Sequence, residues 1–572
     1  MKKMMIALFC CLSLVAWPVV AEEKPDASNF VEVGLHGSDV AKDHNRVTEY
    51  NQAPTAIEGT VQLRLMNQKD DLKYKLDLSI FSSEDMKMSL VINKGHWFKS
   101  TTTFNKFMHK LDHDRMQNLQ WRETTNPEAN SPGGKMLTFV DYDPNQEYFK
   151  VYEDLKQVFN IQLDTETPTD LEFGFRAQTR TGYHQTMQLS HCDNCHIQSK
   201  AAELDQTSYD AWAKVHAKVN NRIDVSYKFT YSKFENDMDP TMYYIDQPMH
   251  PVNGSNAEEF GSRQVYGGEI LESGVIHDNE ETRHEVRVEG YVTDADRIVG
   301  NASYSQLKNK MADLSMTTTA GSFRWNHKFS KQFTLDAFLS YYKMDNDDIY
   351  IDLPTWREGR AGGGQDFDFT RYSTYNRNVS LLKLQGYYKV DANNRWTFSY
   401  RYKQVDREYQ VVTFEDRETE TVEGLFKVRW DGRFDDIRAN VQLSYETVDN
   451  PFTNATGIIE TPINDISPIE GNSFVYYWQR ERVGEATNLP SNDLNLRGNL
   501  SYRMNDRLSM SATVGLRDAS NDELNSYEFD IEALNAGLNL FAVLNDKAVL
   551  NFGFNHSDMK TQAYFSVPVM DG

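Results

Sequence analysis

The residues best equipped for chemistry are Cys192, Cys195 and His196, in the run Ser190-His191-Cys192-Asp193-Asn194-Cys195-His196. Cys-x-x-Cys-His is the spacing of c-type haem attachment. In that chemistry both thiols form thioethers with the porphyrin vinyl groups. The neighbouring His196 then supplies the proximal iron ligand, because attachment next door orients its imidazole against the metal. The sequence therefore points to one covalent haem c held by Cys192, Cys195 and His196. The same two thiols also suit a structural disulfide or a redox-active dithiol. Zinc fits less well, since no second Cys/His pair stands at finger spacing. His184, Met187 and His216 are the candidates for the distal iron ligand; His191 is too tightly tied to the adjacent cysteine. A haem without a distal ligand would be open to small molecules. No Ser/His/Asp arrangement, Gly-rich phosphate loop or paired-carboxylate site stands out, so no catalytic residue is assigned and no enzyme is expected.

Such chemistry needs a compartment. Lys2 and Lys3 precede an apolar stretch from Met4 to Val20, and Val19 and Ala21 are small enough for cleavage before Glu22. Residues 1–21 read as a signal peptide. Cys10 and Cys11 would leave with it, so the mature chain would keep Cys192 and Cys195 alone of its 4 cysteines.

The elements that must position the motif are written in period two. Leu494, Leu496, Gly498, Leu500 and Tyr502 alternate with polar residues, as do Leu508 to Leu516, Leu534 to Ala542 and Ala548 to Phe554. The pattern recurs at Val422 to Trp430, Ile437 to Tyr445, Leu382 to Val390, Trp396 to Tyr402, Phe333 to Tyr341 and Val286 to Val292. Each run is long enough to cross a bilayer at a tilt. Tight connections carry hairpin residues: Thr293-Asp294-Ala295-Asp296, Ser330-Lys331-Gln332, Asp391-Ala392-Asn393-Asn394, Asp431-Gly432-Arg433, Asn505-Asp506 and Asn545-Asp546. Longer polar connections lie at roughly 345–378, 406–418 and 449–490. Short turns on one side and long loops on the other are the habit of outer-membrane barrels. The fold expected is all-β: a large transmembrane antiparallel up-and-down β-barrel of roughly twenty strands or more, with short periplasmic turns and long external loops. The competing fold is a secreted sandwich or propeller of half-buried strands.

The N-terminal half is less regular. A hairpin is expected around Asn67 to Asp71, a strand from Met86 to Ile92, and a strand pair within 147–180. Residues 95–145 read as loop-rich. Lys200 to Asn220 reads as a short helix or an irregular plug segment. The chain thus divides into a signal peptide (1–21), N-terminal barrel strands and irregular segments (22–180), a periplasmic or luminal insertion carrying the haem motif (181–220), and C-terminal barrel hairpins (221–572).

Composition removes other classes. With 84 acidic against 60 basic residues and a net charge of -24, the chain lacks the basic face that nucleic acid requires. Past residue 20 there is no apolar run of about 18 residues, so no membrane helix follows the leader. The carboxylates of the long connections, such as Asp345 to Asp352, are most simply a solvated face.

The exported, aromatic-rich hairpins, the early segment Asn45-Arg46-Val47-Thr48-Glu49-Tyr50 and the one mature Cys-x-x-Cys together resemble the outer-membrane β-barrel component of porin–cytochrome electron conduits, the Mtr/Pio-type family. The resemblance implies bacterial outer-membrane lipid around the barrel, and periplasmic and extracellular multihaem cytochromes as partners that carry electrons out of the cell. This chain departs from the familiar pattern in placing His196 after the second cysteine and the motif well into the sequence. The two other functions to be weighed are a general diffusion porin with a structural Cys192–Cys195 disulfide, and a haem enzyme or sensor anchored by its barrel.

Overall fold

An alternating strand buries one face and leaves its backbone groups to be satisfied by neighbours. In lipid those neighbours must be other strands of the same wall. The computed structural model of the chain describes residues 29–37, 57–116, 138–190, 196–244, 270–347, 349–357, 366–373, 376–411, 414–449, 490–521 and 529–562. The strands of the first third are β1 (Phe30–Gly37), β2 (Ile57–Lys69), β3 (Leu72–Ser82), β4 (Asp85–Lys94), β5 (Phe98–Lys110), β6 (Thr138–Asp141), β7 (Phe149–Leu163), β8 (Thr169–Ser190) and β9 (His196–Asn220). Then come β10 (Ile223–Asn236), β11 (Thr241–Tyr244), β12 (Ile270–Ser273), β13 (Asn279–Tyr291), β14 (Asp296–Asn309), β15 (Leu314–Lys328), β16 (Phe333–Asn346), β17 (Ile349–Arg357) and β18 (Asp366–Ser373). The last are β19 (Asn376–Lys389), β20 (Asn394–Val411), β21 (Phe414–Phe434), β22 (Ile437–Asp449), β23 (Asn492–Asn505), β24 (Leu508–Ser520), β25 (Asp530–Asn545) and β26 (Ala548–Gln562).

Apart from two excursions, each strand pairs antiparallel with the next in one 22-stranded sheet, which β6 joins through a parallel register with β9. The excursions are the separate β11–β12 and β17–β18 pairs, after which β10 meets β13 and β16 meets β19. The fold is the large antiparallel up-and-down barrel wall expected from the alternation. β1 and β26 are its seam strands; among the described residues no register joins them, and β26 is exposed beyond Ala548.

Connections at one end are all short: 70–71, 95–97, 164–168, 221–222, 292–295, 329–332, 390–393, 435–436, 506–507 and 546–547. At Asp391 the side chain accepts backbone N–H groups from Asn393 and Asn394 at 2.6 and 2.8 Å, closing the turn locally. The opposite end carries the long connections, among them 237–278 and 347–375 with the two small sheets. By the barrel rule the short end is periplasmic and the long end external.

Four local expectations are corrected. The turn placed at Asp431-Gly432-Arg433 falls instead at Asp435 and Asp436, with Asp435 at φ 44°. Gly432 serves the neighbouring indole: a Cβ there would lie 2.3 Å from the Trp430 ring. The loop expected at 406–418 is mostly strand, because β20 and β21 continue to Val411 and from Phe414. Residues 98–110, read as loop, form β5. Lys200 to Asn220 is neither helix nor plug but the body of β9, held by β8 on one edge and β10 on the other. Residues 181–220 are therefore not an insertion but the upper part of β8 and all of β9, with their connection. The connection 450–489 lies outside the described residues.

The long β8 has a positive φ of 135° at Gly182, where a Cβ would lie 2.1 Å from the Phe149 carbonyl oxygen. No L side chain fits that backbone without shifting β7. Gly182→Ala is expected to destabilise the upper hairpin by roughly 1–3 kcal/mol. Amide hydrogen exchange should accelerate across 183–205 and stay unchanged in β22 to β25. Uniform exchange in both regions would refute this.

Candidate functional site: the external hairpin tip and the lumen wall

The two faces of the wall differ in kind. On one, Phe333, Leu335, Ala337, Leu339 and Tyr341 of β16 follow at every second position, with Leu339 52% exposed. Large apolar side chains stay exposed on the same face of the neighbours: Phe323, Leu384, Phe398, Phe426 and Leu443. A cross-strand row of Phe333, Tyr388, Trp396 and Trp430 marks the short-turn edge. Tyr341 stands eight residues above Phe333, about 26 Å along the strand and close to the roughly 25 Å apolar band of such barrels. Aromatic rings at both borders suit the lipid–water interface.

The other face carries ion pairs. Arg176 grips Asp154 through two bonds of 2.8 and 2.7 Å. Arg324 meets Asp336 at 2.8 Å, Arg429 meets Asp431 at 2.6 Å and Arg517 meets Asp493 at 2.7 Å. Charged pairs on one face and exposed aromatics on the other define a lipid-facing exterior and a wet lumen.

β8 and β9 rise from this wall on the external side and end at Ser190 and His196, the residues that flank the motif's cysteines. Ser190 pairs with His196, so residues 191–195 form the connection. Cys192 and Cys195 lie outside the described residues. His196 opens β9 with β8 on one edge and Thr138 of β6 on the other. The expected periplasmic or luminal position is thus corrected to the external face. The donor set fits a c-type haem: two thiols and an imidazole fall within one short segment whose ends the Ser190–His196 register pins together.

The register also sorts the distal candidates. His184 pairs with Ala202, six residues from the tip on β8, or about 20 Å below His196. Met187 pairs with Ser199 and takes the opposite face from the Ser190–His196 pair. His216 lies twenty residues along β9, roughly 66 Å away near the short turns, where it faces Asp170 and Asp224 at 3.3 and 3.2 Å. None of the three stands opposite His196.

Below the tip is a buried polar cluster that the sequence did not disclose. His113 Nε2 lies 2.7 Å from Asp141, and its ring meets Tyr148 edge-on at 4.7 Å. Asp143 accepts the Ala201 N–H at 2.7 Å, and Tyr243 bonds Thr186. Lys200 lies over the rings of Tyr142 and Tyr243 at 5.2 and 5.4 Å. These contacts strap residues 111–116 and 138–148 onto the hairpin. Burial pushes the Tyr148 phenol up to about 12, helped by the nearby carboxylates of Asp141 and Asp143. His184 is pushed down, first by burial and then by Lys150.

The raised Tyr148 value favours the folded strap while the phenol is neutral. That contribution is complete below pH 10 and is lost as pH rises through about 12. Among the described residues the Tyr148 hydroxyl has no hydrogen-bond partner. Tyr148→Phe is therefore expected to leave the strap intact at neutral pH and to reduce its loss between pH 10 and 12, read by hydrogen exchange at residues 138–148. An equal alkaline loss in both proteins would overturn this.

A wide antiparallel wall with a lipid face, aromatic borders and a charged lumen defines a bacterial outer-membrane β-barrel. No protein-family model matches the chain, and no curated protein matches it. Among solved structures it is similar to the siderophore receptor PirA from Acinetobacter baumannii (TM-score 0.42, 9% identity, covering 92% of this chain and 75% of that one). It is also similar to the FrpB iron transporter from Neisseria meningitidis, F5-1 variant, in its apoprotein form (TM-score 0.39, 8% identity, 85% and 74% covered). Neither likeness assigns a substrate or a partner to this chain.

Proposed function

We propose that this barrel is the outer-membrane part of an extracellular electron-transfer conduit, sheathing multihaem c-type cytochromes and carrying one covalent haem on Cys192, Cys195 and His196. The observation that supports it is the Ser190–His196 pair, which flanks the two cysteines and closes the outer end of a hairpin standing on a wide, polar-walled barrel. The bound haem would supply one-electron transfer. His196 would hold the iron, the two cysteines would fix the porphyrin edge, and the Ser190–His196 ladder would hold both against the hairpin. One haem cannot bridge a membrane of about 30 Å, so further haems must occupy the lumen. The tip would then be where electrons leave the lumen chain.

The mass and absorption spectrum of the mature protein purified from its native membrane test this reading. One covalently added haem, with multihaem cytochromes co-purifying, is the expected result. A haem-free chain with Cys192 and Cys195 oxidised to each other would instead establish the porin. A haem-bearing chain without cytochromes would leave an anchored haem protein.

A further inference from the structure

Every neighbouring pair in the wall is joined by a register except β1 and β26, among the described residues. The 22-stranded sheet less β6 leaves 21 strands in hairpin succession. An odd run brings its first and last strands to the seam in the same direction, so β1 and β26 both climb from the short turns toward the external side. Their bare edges show in the side chains. Val33 and Leu35 of β1 are 73% and 79% exposed, against 44% for Leu443 in mid-wall. On the luminal side β1 is already held: Arg64 stands 5.4 Å from the centre of the Phe30 ring, and His36 stacks on Phe81 at 4.0 Å. What β1 lacks is a partner for the edge turned away from β2, and hydrocarbon offers none.

The lipid-facing positions of the two strands match. Set level in the bilayer, Val31 meets Ala548, Val33 meets Leu550, Leu35 meets Phe552 and Gly37 meets Phe554. Below both bands stands a polar residue at the short-turn border, Asn29 on one side and Asp546 on the other. Outward parity is kept, because each pair takes an outward residue from each strand. The ladder geometry agrees independently. Carried from β1 round to β26, the registers climb about 22 residues relative to this alignment. A shear of about 22 residues over 21 strands tilts the strands by roughly 36°. Barrels that span membranes tilt by roughly 35–45°.

We propose that β1 and β26 close the barrel on each other by parallel pairing in this register. The partner for each bare edge is the other end of the same chain. The barrel is then odd-stranded, where bacterial barrels of one chain ordinarily carry an even number. Its closing ladder has the slanted bonds of a parallel pair, and the lumen is sealed from lipid without a further polypeptide. The closure does not depend on a haem at residues 192–196.

Cysteine bridging in the full chain, reconstituted in lipid vesicles, tests the register. Glu32 and Val549 fall in one luminal row of it. Glu32→Cys with Val549→Cys should bridge on mild oxidation in most of the protein. The product is read by mass spectrometry as a linked peptide pair, so Cys192 and Cys195 do not confuse it. Glu32→Cys with Ser557→Cys, about 26 Å farther along β26, should stay unbridged, because a disulfide needs neighbouring Cα atoms. Amide exchange of the unmodified protein gives a reading free of substitutions. Residues 31–37 and 548–554 should exchange as slowly as those of β24 and β25, without fast and slow amides alternating. Failure of the first pair to bridge in a folded barrel, a preference for the displaced pair, or free exchange at every second amide of these stretches would each overturn the closure.

Discussion

Replacing Cys192 and Cys195 together by alanine is expected to abolish covalent haem completely while the barrel still folds. The tip hairpin is held by the long β8–β9 ladder and by the strap of Asp141, Asp143 and Lys200, none of which involves the thiols. Migration of the unheated variant on gels and its protease resistance should therefore match the parent. His196→Ala should give a different result. Both thioethers would remain, so the mass would keep the haem, but the absorption spectrum would change because the iron loses its proximal nitrogen. Electron delivery to an external acceptor should fall to the background of a barrel-free membrane in the cysteine variant. The disulfide alternative predicts otherwise. A disulfide closing so short a loop would contribute only about 2 kcal/mol, so the cysteine variant would lose some oxidised-state stability and no colour. His196→Ala would then be silent. Colourless parent protein, or colour that survives the double cysteine change, would remove the haem assignment.

The barrel was legible wherever outward apolar residues really alternate with luminal polar ones, as in β16 and β22 to β25. It was hidden where that alternation is broken for a local reason. In β5 the outward positions include Ser100 and Thr102, which look like loop residues. Structurally they are satisfied sideways: Gln157 of β7 donates to Ser100 at 2.9 Å and accepts from Thr102, and all three are buried. A polar trio that satisfies itself can lie among outward aromatics such as Phe159 and Phe175 at small cost, yet period-two reading cannot recognise it. In β9 the outward residues Ala211, Ala213 and Ala217 favour helix by propensity. Two flanking ladders override that preference. The Cys-x-x-Cys-His motif was visible because its residues are contiguous. Its external placement was not, since the side of the membrane depends on counting every strand from the short turns.

Ala337→Arg is expected to destabilise the barrel in lipid by about 2–4 kcal/mol, while Ser340→Arg three positions along the same strand should be nearly neutral. Ala337 lies midway between Phe333 and Tyr341 on the outward face, cross-strand from Trp325 and Leu384. A guanidinium there would sit at the depth where the bilayer offers neither water nor a counter-charge. It would also be too far from either border to reach the headgroups without dragging its stem across the aromatic row. Ser340 has the other parity and faces the lumen, where Arg324 and Asp336 already show that charge is tolerated. The difference between the two substitutions, measured by urea unfolding in lipid vesicles, therefore reads the orientation of the wall directly. Equal costs would mean that both faces meet the same environment, as in a soluble sandwich. A larger cost for Ser340→Arg would mean that the wall is turned inside out. Either result would take the membrane barrel away, and with it the external position of His196.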